Sequence, residues 1–278
     1  LSGCNGRFAC MGLPNLMRKQ TTCREPEMRK PKKTTPHTPG QPGEYAEAGA
    51  KAVRPRDAAT LIIVRQLKTP KILMGKRAAS HKFMPNKFVF PGGRRDPADA
   101  RVTCGGNLQP DVLARLRRET RAGVSDNTLR GLALAAIRET FEETGVILGE
   151  PTKNPPASAN PEWQAYFKHG VTPPLAHMDF IARAVTPTYR TRRFDTRFFM
   201  MYDTHIHTDP EDTRGASGEL LDLHWLTLSQ ARKLDLPAIT RQVLDIVEQR
   251  MQLPLKKRYG APAPYIRFER GKPVISQL

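Results

Sequence analysis

The stretch RETFEETGV, residues 138–146, places an arginine and three glutamates within nine positions of a chain that is otherwise strongly basic. Read as a helix, it sets Glu139, Glu142 and Glu143 at i, i+3 and i+4. That spacing puts three carboxylates on one face, with neighbouring Cβ atoms roughly 5–6 Å apart. Like charges so close repel each other and weaken a helix unless a cation joins them. Oxygen-only donors suit a hard ion, Mg²⁺ or Mn²⁺. Arg138 can reach a neighbouring carboxylate and hold its orientation. The competing reading is a solvated acidic face on a surface helix. Upstream, FVFPGG at residues 88–93 is a strand-like run stopped by Pro91, Gly92 and Gly93.

Outward from this stretch, LRGLALAAIRETFEETG reads as a strong helix, with Leu134, Ile137 and Phe141 as its apolar stripe and Gly145 as its stop. AATLIIVRQL, KILMGKR and KFVFPGG precede it as strands. DFIARAVTP, RFDTRFFMMYDT and GELLDLHWLTL follow as strands, the first two as a hairpin about TPTYRTR. LSQARKLDL and PAITRQVLDIVEQRM are helical. NPPASANPEW is a Pro-rich connection. Strands mixed with a few helices imply an α/β or α+β layered domain. Between the glycines and the acidic helix lies a polar stretch leading into LQPDVLARLRRETRAG. This is a further helix, with Val112, Leu113 and Leu116 on one face and Gly123 after it. Its LARLRR segment reads equally as a basic lid or a solvated face.

The 278 residues can bury a sizeable core and carry a formal charge of +18. No apolar run approaches the roughly 18–20 residues that cross a bilayer, so no membrane partner is expected. The four cysteines form no C-x-x-C pair. A disulfide framework or a zinc site is not expected, and a reducing, cytoplasmic setting is. Residues 1–56 hold 11 Lys and Arg against 4 Asp and Glu, in a Pro- and Thr-rich stretch with almost no apolar periodicity. The expectation is a disordered basic tail at 1–56, a folded domain at 57–255 and a C-terminal extension at 256–278. The tail's charge admits nucleic-acid association, but with Phe8 its only aromatic before Tyr45 it offers no stacking platform, and that partner is not favoured.

The glycine stretch and the acidic helix together resemble the signature of the Nudix hydrolase superfamily. Its pattern runs Gly, five residues, Glu, seven residues, then R-E-U-x-E-E-x-G-U, where U is bulky and apolar. Arg138, Glu139, Glu142, Glu143, Gly145 and Val146 match the second half, and Gly93 fits the opening. Thr140 stands at the first U. Arg130 occupies the position of the first Glu. Gly93 and Arg138 lie 45 positions apart where the pattern has 14, so 31 residues are inserted, at about 94–128. A long insertion behind an intact FPGG is similar to the subgroup that includes peroxisomal coenzyme A diphosphatases and bacterial relatives.

The resemblance implies an α/β/α sandwich with a mixed sheet and an inserted helical segment lying over the substrate side. It implies a pyrophosphohydrolase acting on a nucleoside diphosphate linked to another group, with coenzyme A or its esters as one such substrate. The backbone of Gly92 with Glu139, Glu142 and Glu143 would hold Mg²⁺ or Mn²⁺. Glu139, Glu142 or Glu219 would take the proton of water, and Arg138 would orient the carboxylates. Arg77 precedes FPGG where the subgroup has its own element, and Arg197 is a candidate for substrate phosphate. His205 and His207 alternate in DTHIHTD and, on a strand, share a face that can bind metal or simply be polar. Two rival readings are a catalytically silent binding module, which would explain Arg130, and a nucleic-acid-associated protein.

Overall fold

The computed structural model describes residues 44–278 except 48–49, 81–83, 105 and 213–214. The expected disorder of the basic tail therefore lies outside the described residues as far as residue 43. Strand β1 (Arg56–Arg65) is followed by β2 (Lys71–Arg77), β3 (Phe88–Val89) and β4 (Gly92–Arg94). Helices α1 (Pro110–Arg117) and α2 (Asp126–Thr144) come next, then β5 (Glu150–Pro151), α3 (Pro161–Phe167), β6 (Val171–Thr172), β7 (Asp179–Val185) and β8 (Phe194–Tyr202). The chain closes with β9 (Leu220–Thr227), α4 (Leu228–Ala231), α5 (Ala238–Gln252), α6 (Leu255–Arg258), β10 (Pro264–Glu269) and β11 (Lys272–Gln277).

Among the described residues, nine strands make one mixed sheet. Its path runs β11-β10-β7-β8-β1-β2-β3, with β4 added to β1 and β9 added to β2. The pairs β1/β8 and β10/β7 are parallel, and the β7–β8 hairpin is antiparallel as expected. Strand β1 shows why this is a sandwich. Ala59, Leu61 and Ile63 face a core shared with α1, α2 and α3, while Ile62 and Val64 face a second core under α5. Alternation along a strand buried on both faces gives a continuous apolar run rather than an amphipathic one.

Three parts depart from the sequence reading. The Pro-rich connection ends in a helix: Asn160 caps α3 through the Trp163 N–H, with Pro161 in the first turn. Residues 256–278 join the sheet, since β10 and β11 form a hairpin and Tyr265 and Ile266 pair with Arg183 and Ala184 of β7. Upstream of residue 57, Glu44 accepts from Arg190 at 2.7 Å and from the Met84 N–H at 2.8 Å, so the chain already contacts this unit there.

The inserted segment is part of the core. Val112 and Leu116 of α1 are buried beside Leu129 and Leu132 of α2. Arg115, a candidate phosphate ligand in the basic-lid reading, is 4% exposed. It donates to the carbonyls of Phe180 and Ala261 at 2.6 and 2.7 Å and lies 3.3 Å from Asp179. A guanidinium committed to that many acceptors is not free to meet a phosphate.

Candidate active site

Helix α2 carries the candidate site. Ser125 caps it by accepting from the Thr128 N–H, and Gly145 ends it at φ 73° with its N–H on the Phe141 carbonyl. Both neighbours cover it. The sheet packs on one side, and the inserted segment and α3 pack on the other; on the acidic face Glu143 is buried, while Glu139 and Glu142 are partly exposed. Thr140 fits among apolar neighbours because its hydroxyl donates to the Ala136 carbonyl at 2.7 Å.

The glycines of FPGG set how closely the sheet approaches this helix. Gly92 and Gly93 lie in β4 opposite Thr60 and Ala59. A Cβ on Gly92 would fall 2.5 Å from the Ala59 carbonyl oxygen, and one on Gly93 would fall 2.3 Å from the Glu139 carboxylate. The Gly92 N–H donates to Glu143 Oε2 at 2.7 Å. No side chain fits between this backbone and the carboxylates, and that is the physical content of the motif.

Arg138 is the hub of the cluster. It lies 2.8 Å from Asp99 Oδ1, 3.0 Å from Glu139 and 2.9 Å from Glu142, and it also donates to the Arg94 carbonyl at 3.0 Å. Burial alone would lower its pKa; Asp99, Glu139 and Glu142 outweigh that and raise it. Sequence reasoning missed Asp99. It sits in a one-turn 3₁₀ helix, Asp99–Arg101, inside the insertion, is fully buried, and also accepts from the Trp163 indole at 2.8 Å. DPADA offers no spacing that would have marked it.

Burial pushes the Glu143 carboxyl up to about 8. The Gly92 N–H and Arg77 oppose that rise, while Glu139 and Glu219 add to it. Burial also raises Glu139 to about 7 against the pull of Arg138. Glu142 is raised for the same first reason. Three carboxyls resist ionisation together because burial outweighs the pull of Arg138 and Arg77. An all-oxygen set that carries excess negative charge on ionising fits a hard divalent cation.

Arg77 at the end of β2 pairs with Leu220 at the start of β9, and the Ala78 N–H donates to the Glu219 carbonyl at 3.2 Å. This brings Arg77 and the exposed Glu219 within electrostatic reach of Glu143. The structure thus gathers Gly92, Arg77, Arg138, Glu139, Glu142, Glu143 and Glu219. Arg197 is not brought there. It is 3% exposed, lies 2.8 Å from Asp57 and 3.1 Å from Asp195, and lines a separate cavity with Arg54, Arg121 and Arg183. Arg130 is also elsewhere, donating to the Val102 carbonyl at 2.6 Å and to Cys104 Sγ at 3.4 Å within the insertion.

No family model matches the chain. It is 31% identical over 159 residues to putative Nudix hydrolase 7 of Caenorhabditis elegans, covering 52% of this chain and 44% of that protein. It is 31% identical over 98 residues to acyl-coenzyme A diphosphatase NUDT19 of Xenopus laevis, covering 29% of this chain and 26% of that protein. The chain thus spans less than half the length of these relatives. A solved Nudix hydrolase of Alicyclobacillus acidocaldarius superposes with a TM-score of 0.50 at 26% identity, covering 70% of this chain and 92% of that one. Among the described residues no helix is long and apolar enough to cross a membrane. In its glycine stretch, its acidic helix and the mixed sheet between helical layers, as in these likenesses, the chain is similar to Nudix hydrolases, among them a coenzyme A diphosphatase.

Proposed function

We propose that the chain is a divalent-metal-dependent pyrophosphohydrolase acting on a nucleoside diphosphate linked to another group. The observation that carries this reading is the cluster of Glu139, Glu142 and Glu143, which meets the Gly92–Gly93 backbone and has Arg138 as its principal cation. Glu139, Glu142 and Glu143, with the backbone at Gly92, would hold Mg²⁺ or Mn²⁺. Such an ion, when bound, supplies charge neutralisation for a diphosphate and a more acidic water.

The chain's own residues do the rest. Arg138, anchored on Asp99, keeps Glu139 and Glu142 from turning away. Glu139 takes a proton as the water oxygen bonds to phosphorus and the bridging P–O bond breaks, leaving two monophosphate products. Glu219, on the rim, is the other base to test. The surrounding positive charge attracts a polyanion. The likeness to an acyl-coenzyme A diphosphatase supports coenzyme A or its esters as the first substrates to try.

A panel of coenzyme A, acyl-coenzyme A, ADP-ribose, dinucleotides and nucleoside triphosphates, with Mg²⁺ and Mn²⁺ and with both products identified, tests the reading. Metal-dependent release of two monophosphates supports it. Arg130 at the first Glu position favours a second reading, a silent binding module. Substrate-class ligands that bind with metal but show no turnover across the panel would select that instead.

A further inference from the structure

A second cluster of metal-ligating side chains lies outside the acidic helix. Glu150 of β5, His177 in the 3₁₀ turn Leu175–His177 and His205 in the 3₁₀ turn Asp203–His205 bring three ligand atoms within 4.8 Å of one another. The imidazoles of His177 and His205 stack with centroids 3.9 Å apart and planes inclined by 20°. His177 Nε2 lies 3.1 Å from Glu150 Oε1. The expected alternation of His205 with His207 fails because residues 203–205 form a helical turn rather than a strand. His205 takes its partner from a distant segment instead.

The backbone under this cluster is tied down. The Gly149 N–H donates to the His205 carbonyl at 2.9 Å, the His207 N–H donates to the Ile147 carbonyl at 2.7 Å, and Leu148 bridges Ile206. Glu150 pairs with Thr172 across β5 and β6, two segments before His177. Three chain segments separated by tens of residues therefore converge through fixed backbone. Glu150 is exposed and both histidines are half-buried, so an ion can enter without unfolding anything.

We propose that Glu150, His177 and His205 form a binding site for a transition-metal dication of the zinc class, with water completing the shell. The donor set decides the class. Two imidazoles and one carboxylate favour Zn²⁺, Co²⁺ or Ni²⁺ over Mg²⁺, whereas the all-oxygen cluster on α2 has the opposite preference. With bonds of about 2.0–2.1 Å, neighbouring ligands on a tetrahedral ion lie roughly 3.4 Å apart. Closing the 4.8 Å spread requires the stacked imidazoles to rotate toward the ion. The bound ion would fasten the start of the 203–219 connection, whose far end is held on the acidic helix by the Ser217 N–H donating to the Glu142 carbonyl at 2.8 Å. This proposal does not depend on the hydrolase reading.

The test is Co²⁺ titration of the full, tag-free chain in excess Mg²⁺, followed by visible absorption of Co²⁺ and confirmed with Zn²⁺ by calorimetry. His177→Ala, His205→Ala and Glu150→Gln are compared with the parent, with circular dichroism confirming the fold of each. The expected result is one Co²⁺ equivalent with nitrogen-ligand absorption. It weakens at least about tenfold in each histidine variant and less in Glu150→Gln. Absence of that absorption in the parent, or a smaller loss in both folded histidine variants, overturns the site. The second outcome would assign the ion to cysteines and histidines elsewhere in the chain. Glu150→Gln keeps the test decisive if a histidine variant fails to fold, since removing the carboxylate charge must still weaken binding.

Discussion

The two halves of α2 have the same neighbours in sequence and opposite tasks. From Asp126 to Ile137 the helix is a packing element: Leu129, Leu132, Ala133 and Ala136 are buried, and Arg130 closes on the insertion through Val102 and Cys104. From Arg138 to Gly145 it is a charge cradle, with Glu139 and Glu143 against the glycine backbone. Asp99, which lies in the insertion, holds the arginine of the second half. The comparison teaches that the insertion supports the site from behind while taking over the first half of the helix. A shorter connection could leave that half free to carry another carboxylate. Here the position holds a half-buried arginine bonded to the insertion.

The strongest way to break this division is Arg138→Ala. It leaves the fully buried Asp99 without its ion partner. Loss of one member of a buried pair costs about 3–5 kcal/mol, so the urea midpoint should fall sharply and hydrolysis should vanish with it. A loss under about 1 kcal/mol would mean the Asp99 contact does not tie the insertion to the second half of the helix.

A smaller effect is expected from pH. In the folded, metal-free chain Glu139 and Glu143 titrate near 7 and 8, above the ordinary carboxylate range. Between that range and about pH 8 the folded state therefore holds protons that the unfolded chain has released. Stability must fall as pH rises through this window and level off above it. In chelator, Tm should drop by about 4 °C or more between pH 6 and 8.5, a shift that roughly 1–2 kcal/mol produces in a domain of this size. Glu143→Gln should flatten the profile. A metal-free Tm that rises over the same interval would mean these carboxyls are not held protonated.

The smallest effect sharpens the contrast most. Arg130→Met keeps the packing stem and removes two hydrogen bonds to the insertion. It should cost about 1 kcal/mol of stability and leave kcat/KM within about threefold. A tenfold loss of kcat/KM at unchanged Tm would move Arg130 into the chemistry and dissolve the division of the helix.

Much of this was legible in the sequence for local reasons. Strand β2 and the Gly145 stop follow from residue pattern and backbone chemistry, and the acidic spacing follows from the helical period. The Asn160–Pro161 cap signal was also present, but it was masked by the prolines around it. What could not be read depends on distant partners. Nothing in DPADA indicates that Asp99 meets Arg138, 39 residues later. Arg115 and Arg197 look like solvent or phosphate residues until the acceptors around them are known. The closeness of Glu139 and Glu143 to β4 was equally hidden, because it comes from the Gly92–Gly93 backbone 46 or more residues earlier rather than from the helix's own pattern. His177 and His205 meet only because two single-turn helices flank the β7–β8 hairpin.

The most direct test of the central claim is metal-dependent turnover of purified Glu143→Gln beside the parent, on the best substrate of the panel. Glutamine preserves shape and can still accept from the Gly92 N–H, so the fold should survive. The account predicts a loss of about 10²-fold or more in kcat, in the range seen when one electrostatic catalytic group is removed, together with a weaker Mg²⁺ dependence. Turnover within a few-fold of the parent at the same Mg²⁺ requirement would contradict it and place the catalytic centre away from α2.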